Sequence, residues 1–374
     1  MINADVVVVG CGLSWAVLAE RFATVLGRKV LILEKRNHVA GNCYDYWEDG
    51  ILINKYGAHL FHTNDKGVWD YIQKFSEWVR WDHRVLGHVD NKLVPIPVNI
   101  NTVNTLCGTN IQTQQEMREW LSCVQIHRDN VQNGEDMALS RVGEDLYHKI
   151  FRTYTKKQWN KHPEELDASV LARIPVRDDF DDRYFNDRFQ ALPRNGYTQF
   201  VQNMTDHPNI QVMLETDYFN IQDQLHYNIL LFTGPIDMYF KDKGLEKLEY
   251  RSIDFQMEKI QNAGYFQPNS VINYPQDNVP FTRIVEYKHF LHQQSPHTII
   301  VREFPCDEGE PYYPVPNEKN KELYEQYKKL AMMEDHVHFI GRLANYKYFN
   351  MDAAIRNALD IFETTFQNKQ KKNK

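Results

Sequence analysis

The chain has 374 residues, 42% hydrophobic and 25% charged, enough to bury a sizeable core and to form two or three domains. A net charge of -7 argues against a nucleic-acid-binding face, which needs clustered Lys and Arg against phosphates, so any anionic ligand must be met by a few placed cations. Five cysteines, odd in number and without CxxC spacing, fit reduced thiols better than a disulfide frame or a zinc site, which argues for a cytoplasmic chain without a structural metal.

The N-terminus enters an apolar strand, Val6 to Val9, with no basic stretch or small-residue cleavage site before it. Gly10 and Gly12 follow as a turn, then an amphipathic helix, then a second apolar strand ending at Glu34, which closes one βαβ unit. Glycines at that turn let the backbone approach a pyrophosphate at the helix N-terminus, and an acidic residue about 20 positions later suits ribose hydroxyls. The third glycine of the dinucleotide fingerprint is replaced by Trp15. Its indole must push the helix away from the sheet or turn into a pocket left by small neighbours such as Ala16 and Ala19.

His59 and His62 invite a metal reading, but a spacing of three in an extended segment points them to opposite faces, and no Cys or carboxylate trio completes a site. From about Asn101 to Arg173 the pattern turns helical, as in QQEMREWLSCV and RVGEDLYHKIFRTYTKKQW, which predicts a helical insert. Between about Tyr184 and Glu303, short strand-like runs such as HYNILLFTG and HTIIVREF alternate with Pro, Gly and Asn turns, predicting a mainly antiparallel sheet. The segment HVHFIGRLANYKYFNMDAAIRNALDIFETTF reads as a strand, a loop and a long helix starting near Asn350. The last residues, NKQKKNK, read as a flexible, solvated tail. No apolar run approaches the roughly 20 residues of a bilayer crossing.

The stretch EKRNHVAGNCYDYWEDGILINKYGAHLFHTND, followed in order by YTKKQW, RIPVR, DDRYF, GYTQF, TGPIDMYF, LEYRS, VPFTRIVEYKHF, EPYYPV and GRLANYKYFNM, resembles the UDP-galactopyranose mutase family. The resemblance implies an α/β fold in which a Rossmann-like FAD-binding domain is discontinuous, with a helical insert and a mainly antiparallel sheet domain. The expected boundaries are 1–85 and 335–367 for the FAD domain, 100–180 for the helical substrate domain, 181–325 for the sheet domain with returns to the FAD domain, and 368–374 for the tail. It further implies a cytoplasmic homodimer that acts on a UDP-sugar with reduced FAD, with NAD(P)H or another reductant supplying the electrons. N5 of the reduced flavin would attack the anomeric carbon and expel UDP, giving a flavin–sugar adduct. The ring then opens and recloses at another hydroxyl, with no net redox change.

Residue by residue, the resemblance assigns Arg173 and Arg283 to the diphosphate, a role that suits guanidinium forks, and sets His62 near the reactive edge of the flavin. Phe151 and Tyr154 match positions that hold uracil, Trp159 matches the tryptophan of a mobile loop at about 160–176, and Tyr184, Tyr313 and Tyr348 match phosphate- or sugar-contacting tyrosines. Gly10, Gly12, Leu13, Glu34, Lys35, Asn42, His59, Arg342, Asn350 and Met351 fall at cofactor positions. Family glycines are replaced at Trp15, Ala40, Asn160 and Ile340, and a family aspartate by Asn350. These departures bear on cofactor affinity and loop geometry. Another UDP- or dTDP-sugar, a conventional FAD oxidoreductase, and a nucleotide-sugar-binding relative without FAD stay open as alternatives.

Overall fold

The computed structural model describes residues 1–368. Asn368 still belongs to the terminal helix, and the rest of the expected tail, 369–374, lies outside the described residues. A five-stranded parallel sheet runs in the order Ile210–Met213, Val30–Leu33, Val6–Val9, Ile229–Phe232, Val337–Phe339. Its inner strands, VVVV, VLIL and ILLF, are apolar throughout because helices and loops cover both faces. The run ILLF, expected in the antiparallel sheet, therefore belongs to the parallel one, where it sits between Val6–Val9 and Val337–Phe339.

The helices Leu13–Leu26, Gly196–Thr205 and Met351–Ile361 pack on one face of this sheet. Trp15 is fully buried there, as are Ala16 and Ala19. The indole is turned into the protein and borders the cavity at the head of the sheet, and its Nε1 has no hydrogen-bond partner among the described residues.

The second sheet has seven strands in the order Tyr313–Pro314, Tyr250–Ile260, Thr298–Cys306, Arg283–Glu286, Val271–Asn273, Val85–Val89, Lys92–Ile96. Pairing is antiparallel except between Val271–Asn273 and Val85–Val89. The sheet thus draws a hairpin at 85–96 from ahead of the helical insert, and strands from both sides of the insert share one core with its helices: Val85, Val94 and Ile96 pack with Val103, Leu121, Leu146 and Phe151. Capping boxes at Asn99/Thr102 and Thr113/Glu116 start the first two helices of the insert. A π-helical turn, Tyr147–Arg152, leads into the helix Thr153–Trp159 and re-phases its side chains. A small antiparallel sheet of Phe61–Thr63, Phe189–Pro193 and Trp78–Arg80 ties the two large units together.

Candidate active site

The carboxyl ends of the parallel strands open into a cavity of about 670 Å³, the position at which open α/β sheets bind ligands. Gly10 follows Val9 with φ 99°, and a Cβ on Gly41 would lie 2.9 Å from the Cα of Gly12. The two backbones can cross there only because both side chains are absent. The helix Leu13–Leu26 begins at Gly12, and no side chain caps it among the described residues, so its first N–H groups are free for phosphate. Glu34 is buried at the end of its strand, where burial raises its carboxyl above the usual range and the Arg36 N–H donates to it at 2.8 Å. Lys35 and Arg36 pair with Glu310, and Arg36 also donates to Asn42 at 3.0 Å. Leu13, Arg342, Asn350 and Met351 complete the walls. A bare helix start, a glycine crossing and an acidic group at ribose distance along the strand fit an adenine dinucleotide, so these residues fit FAD.

Two replaced glycines leave a visible trace. Ala40 and Asn160 both adopt left-handed backbone, at φ 71° and 53°, a conformation that a Cβ disfavours and that asparagine tolerates better than alanine. Ile340, by contrast, is a buried core residue, and Asn350 stands at the start of the helix Met351–Ile361 without a side-chain cap bond.

A second cavity, of about 680 Å³, lies between the helical insert and the seven-stranded sheet. Its walls bring together Phe151, Tyr154, Trp159, Arg173, Tyr184, Arg283, Tyr313, Tyr348 and His62, drawn from four separate parts of the fold. Arg173 lies with its guanidinium 4.9 Å from the centre of the Tyr348 ring, and Arg342 lies 5.2 Å from the same ring and 5.7 Å from that of Tyr313. Tyr313 and Tyr348 stack at 5.9 Å. Burial alone would raise the Tyr348 phenol, but Arg173, Arg342 and Arg283 outweigh it and bring the group below its ordinary value. Arg283 Nε donates to Glu303 at 2.6 Å, and that carboxylate is buried.

The two histidines do not face apart. His59 lies in the irregular segment between a turn and the strand Phe61–Thr63, outside the regular extended run that the spacing assumed, and both residues line the second cavity. Each has its own partner: His59 Nδ1 lies 2.8 Å from the Gly57 carbonyl and His62 Nδ1 2.9 Å from Asp187, with the His62 ring stacked on Phe185 at 3.7 Å. Burial pushes the His59 imidazole down to about 4. Among the described residues no group of three or more His, Cys, Asp or Glu is placed to hold a metal.

His59, Arg342, Asn350 and Met351 line both cavities, so the dinucleotide cavity opens onto the second one at those four residues. Sequence reasoning passed over Glu303 and Asp187. For Glu303 a signal was present, a buried carboxylate beside Arg302 in the strand TIIVREFPC, whose start is apolar. For Asp187 there was none, because its contact with His62 is made across strand pairing between 61–63 and 189–191.

The family model for UDP-galactopyranose mutase matches residues 149–348, and one for an NAD(P)-binding Rossmann-like domain matches residues 8–75. A dTDP-fucopyranose mutase of Escherichia coli is 34% identical over 97% of this chain and 98% of its own. A probable UDP-galactopyranose mutase of Klebsiella pneumoniae is 34% identical over 96% and 94%, and the UDP-galactopyranose mutase of Mycoplasma pneumoniae 33% identical over 97% and 96%. In fold, the chain is similar to a crystal structure of reduced UDP-galactopyranose mutase, with a TM-score of 0.73 at 15% identity over 98% of this chain and 96% of that one.

Proposed function

The chain belongs to the UDP-galactopyranose mutase family, and from that premise we propose that it interconverts the pyranose and furanose forms of UDP-linked galactose. Family members are flavoproteins that require FAD and act with it reduced. When bound, reduced FAD supplies the nucleophile for the anomeric carbon and exchanges no net electrons with the sugar. The observation that carries the reading is the meeting of the two cavities at His59, Arg342, Asn350 and Met351. Residues at the carboxyl ends of the parallel sheet would hold the cofactor, and the shared wall would bring its chemistry within reach of a nucleotide sugar held under the helical insert.

The chain's own residues do the rest. Four guanidinium groups, Arg141, Arg173, Arg283 and Arg342, line the cavity with the carboxylates Asp187 and Asp352, Asp187 being paired with His62 and Arg283 with the buried Glu303 behind it; the positive excess suits the dianionic diphosphate as it departs and returns. Phe151 and Tyr154 offer aromatic faces to the base, and Tyr313 and Tyr348 line the cavity beside the cations. The segment 160–176 is the lid: Asn160 supplies the hinge, Trp159 anchors its start, and Arg173 is the cation it carries. The Arg177 backbone N–H donates to the Val98 carbonyl at 2.9 Å, which pins the far end. If His62 gives its Nδ1 hydrogen to Asp187, Nε2 is left as an acceptor on a residue that lines the cavity. The working unit is a homodimer, kept reduced by NAD(P)H or another donor.

The test is an absorbance spectrum of the purified protein followed by turnover of UDP-galactofuranose with and without dithionite. Flavin absorbance and activity confined to the reduced state are expected; equal rates in both states would remove the flavin from the chemistry. The full-length similarity to a dTDP-fucopyranose mutase favours one second reading, a dTDP-linked 6-deoxy sugar, and the larger kcat/KM of the two sugar pairs decides between them.

A further inference from the structure

Lys157 is used by nothing in the mechanism above, although it lies between Tyr154 and Trp159 on the helix Thr153–Trp159. Its half-buried ammonium points into the loop 274–282, where its three N–H groups are shared among four backbone carbonyls: Tyr274 at 2.5 Å, Phe281 at 2.8 Å, Val279 at 2.9 Å and Gln276 at 3.2 Å. Those acceptors converge as they would on a bound cation, and a charged donor makes each bond stronger than a neutral amine would. The loop also packs its own Tyr274 and Phe281 rings edge to face at 5.0 Å. Its ends are closed by the Tyr274 N–H donating to Thr282 at 2.8 Å, and one internal turn is closed by Val279 N–H to Gln276 at 3.4 Å. Gln276 also reaches outward, to His88 Nδ1 at 2.8 Å on the strand Val85–Val89.

The loop leads directly into Arg283, the first residue of its strand, and Asn273 and Pro275 at its start line the substrate cavity. On the other side, Tyr154, Thr155, Gln158 and Trp159 line the same cavity. The helix is gripped independently at its end, where Arg251 donates to the Gln158 and Lys157 carbonyls at 3.0 and 3.3 Å. We propose that Lys157 is a positioning residue that joins the two walls of the substrate cavity, holding the loop 274–282, and with it Arg283, in register with the helix that carries Tyr154 and Trp159. Because every acceptor is a main-chain carbonyl, the staple fixes the path of the loop and leaves its side chains free to vary.

This role extends the mutase reading and shares its cavity, so the experiment has arms that do not depend on the sugar. Lys157→Met and Lys157→Gln are prepared as flavin-loaded holoprotein and compared with wild type in amide hydrogen exchange, UDP affinity, and kcat and KM on the preferred sugar pair. Exchange across 274–282 is expected to speed up about tenfold, with the parallel sheet unchanged, and both the UDP Kd and the sugar KM to rise about tenfold. Flavin content should stay at the wild-type level. Unchanged exchange, or faster exchange with wild-type UDP affinity and KM, overturns the proposal. So does failure of both variants to fold with flavin, which would make Lys157 a folding residue. An inactive wild type would count against the mutase reading alone, since the exchange and UDP arms still report on the staple.

Discussion

Arg173 and Arg283, the two cations proposed for the diphosphate, are held differently, and the difference is measurable. Arg283 is tied to the buried Glu303, whereas Arg173 is exposed on the cavity wall over Tyr348. Truncating either to alanine removes a charge from a partly desolvated diphosphate, a loss of roughly 2–5 kcal/mol and so well over tenfold in kcat/KM. Only Arg283→Ala also strands a buried carboxylate, so only that variant should lose thermal stability. Flavin content is expected to hold in both, and near-wild-type kcat/KM in both would show that the diphosphate lies elsewhere. Trp15 invites the opposite expectation from the one its motif suggests. A glycine there would let the first helix approach the sheet and tighten the cofactor, but an indole fully buried in the core cluster with Ala16 and Ala19 leaves a large void when removed. Trp15→Gly should destabilise by roughly 3–5 kcal/mol in urea unfolding, and FAD titration of the variant should show no gain in affinity.

Elements were legible where the sequence carries a period and opaque where pairing is remote. The first βαβ unit and the helical insert could be read because apolar runs and helical faces are local signals. The strand Ile229–Phe232 could not be assigned, since a short apolar run looks the same in a parallel sheet and in a sandwich core; its neighbours lie more than a hundred residues away in both directions. The same holds for the hairpin 85–96, which crosses the whole insert to reach Val271–Asn273. The candidate site was legible as residue types within motifs, but the Glu303 and Asp187 contacts depend on strand register and were not. One join between elements can be tested directly. Asp45, at the start of the strand Asp45–Glu48, is buried and accepts from the Tyr197 and Thr198 N–H groups at 2.6 and 2.9 Å, capping the helix Gly196–Thr205 from a distant hairpin. Asp45→Ala should cost about 2 kcal/mol, measured by chemical denaturation, because it removes a cap and leaves two buried donors without it.

For the whole molecule, buried imidazoles set the acid limit. Burial holds His59 at about 4 and His83 at about 3, both below the ordinary 6.5. A base depressed in the folded state binds fewer protons than in the unfolded chain, so its contribution is fully present above pH 6.5 and is lost as pH falls toward 4 and 3. The melting temperature should therefore decline through that window, and His83→Gln, if folded, should flatten the decline. A melting temperature constant from pH 7 to 4 would contradict the burial of neutral rings.

The shared wall has a thermodynamic reading. His59, Arg342, Asn350 and Met351 face both cavities, so whatever orders them for one ligand has already been done when the second arrives. Occupancy of the two cavities is then linked, and linkage is reciprocal: the factor by which cofactor tightens UDP must equal the factor by which UDP tightens cofactor. Titrating FAD into apoprotein with and without saturating UDP, and UDP into the apo and flavin-loaded forms, yields both factors. Equal factors of about fivefold or more are expected, and a factor of one in both directions would mean that the two chambers meet without communicating.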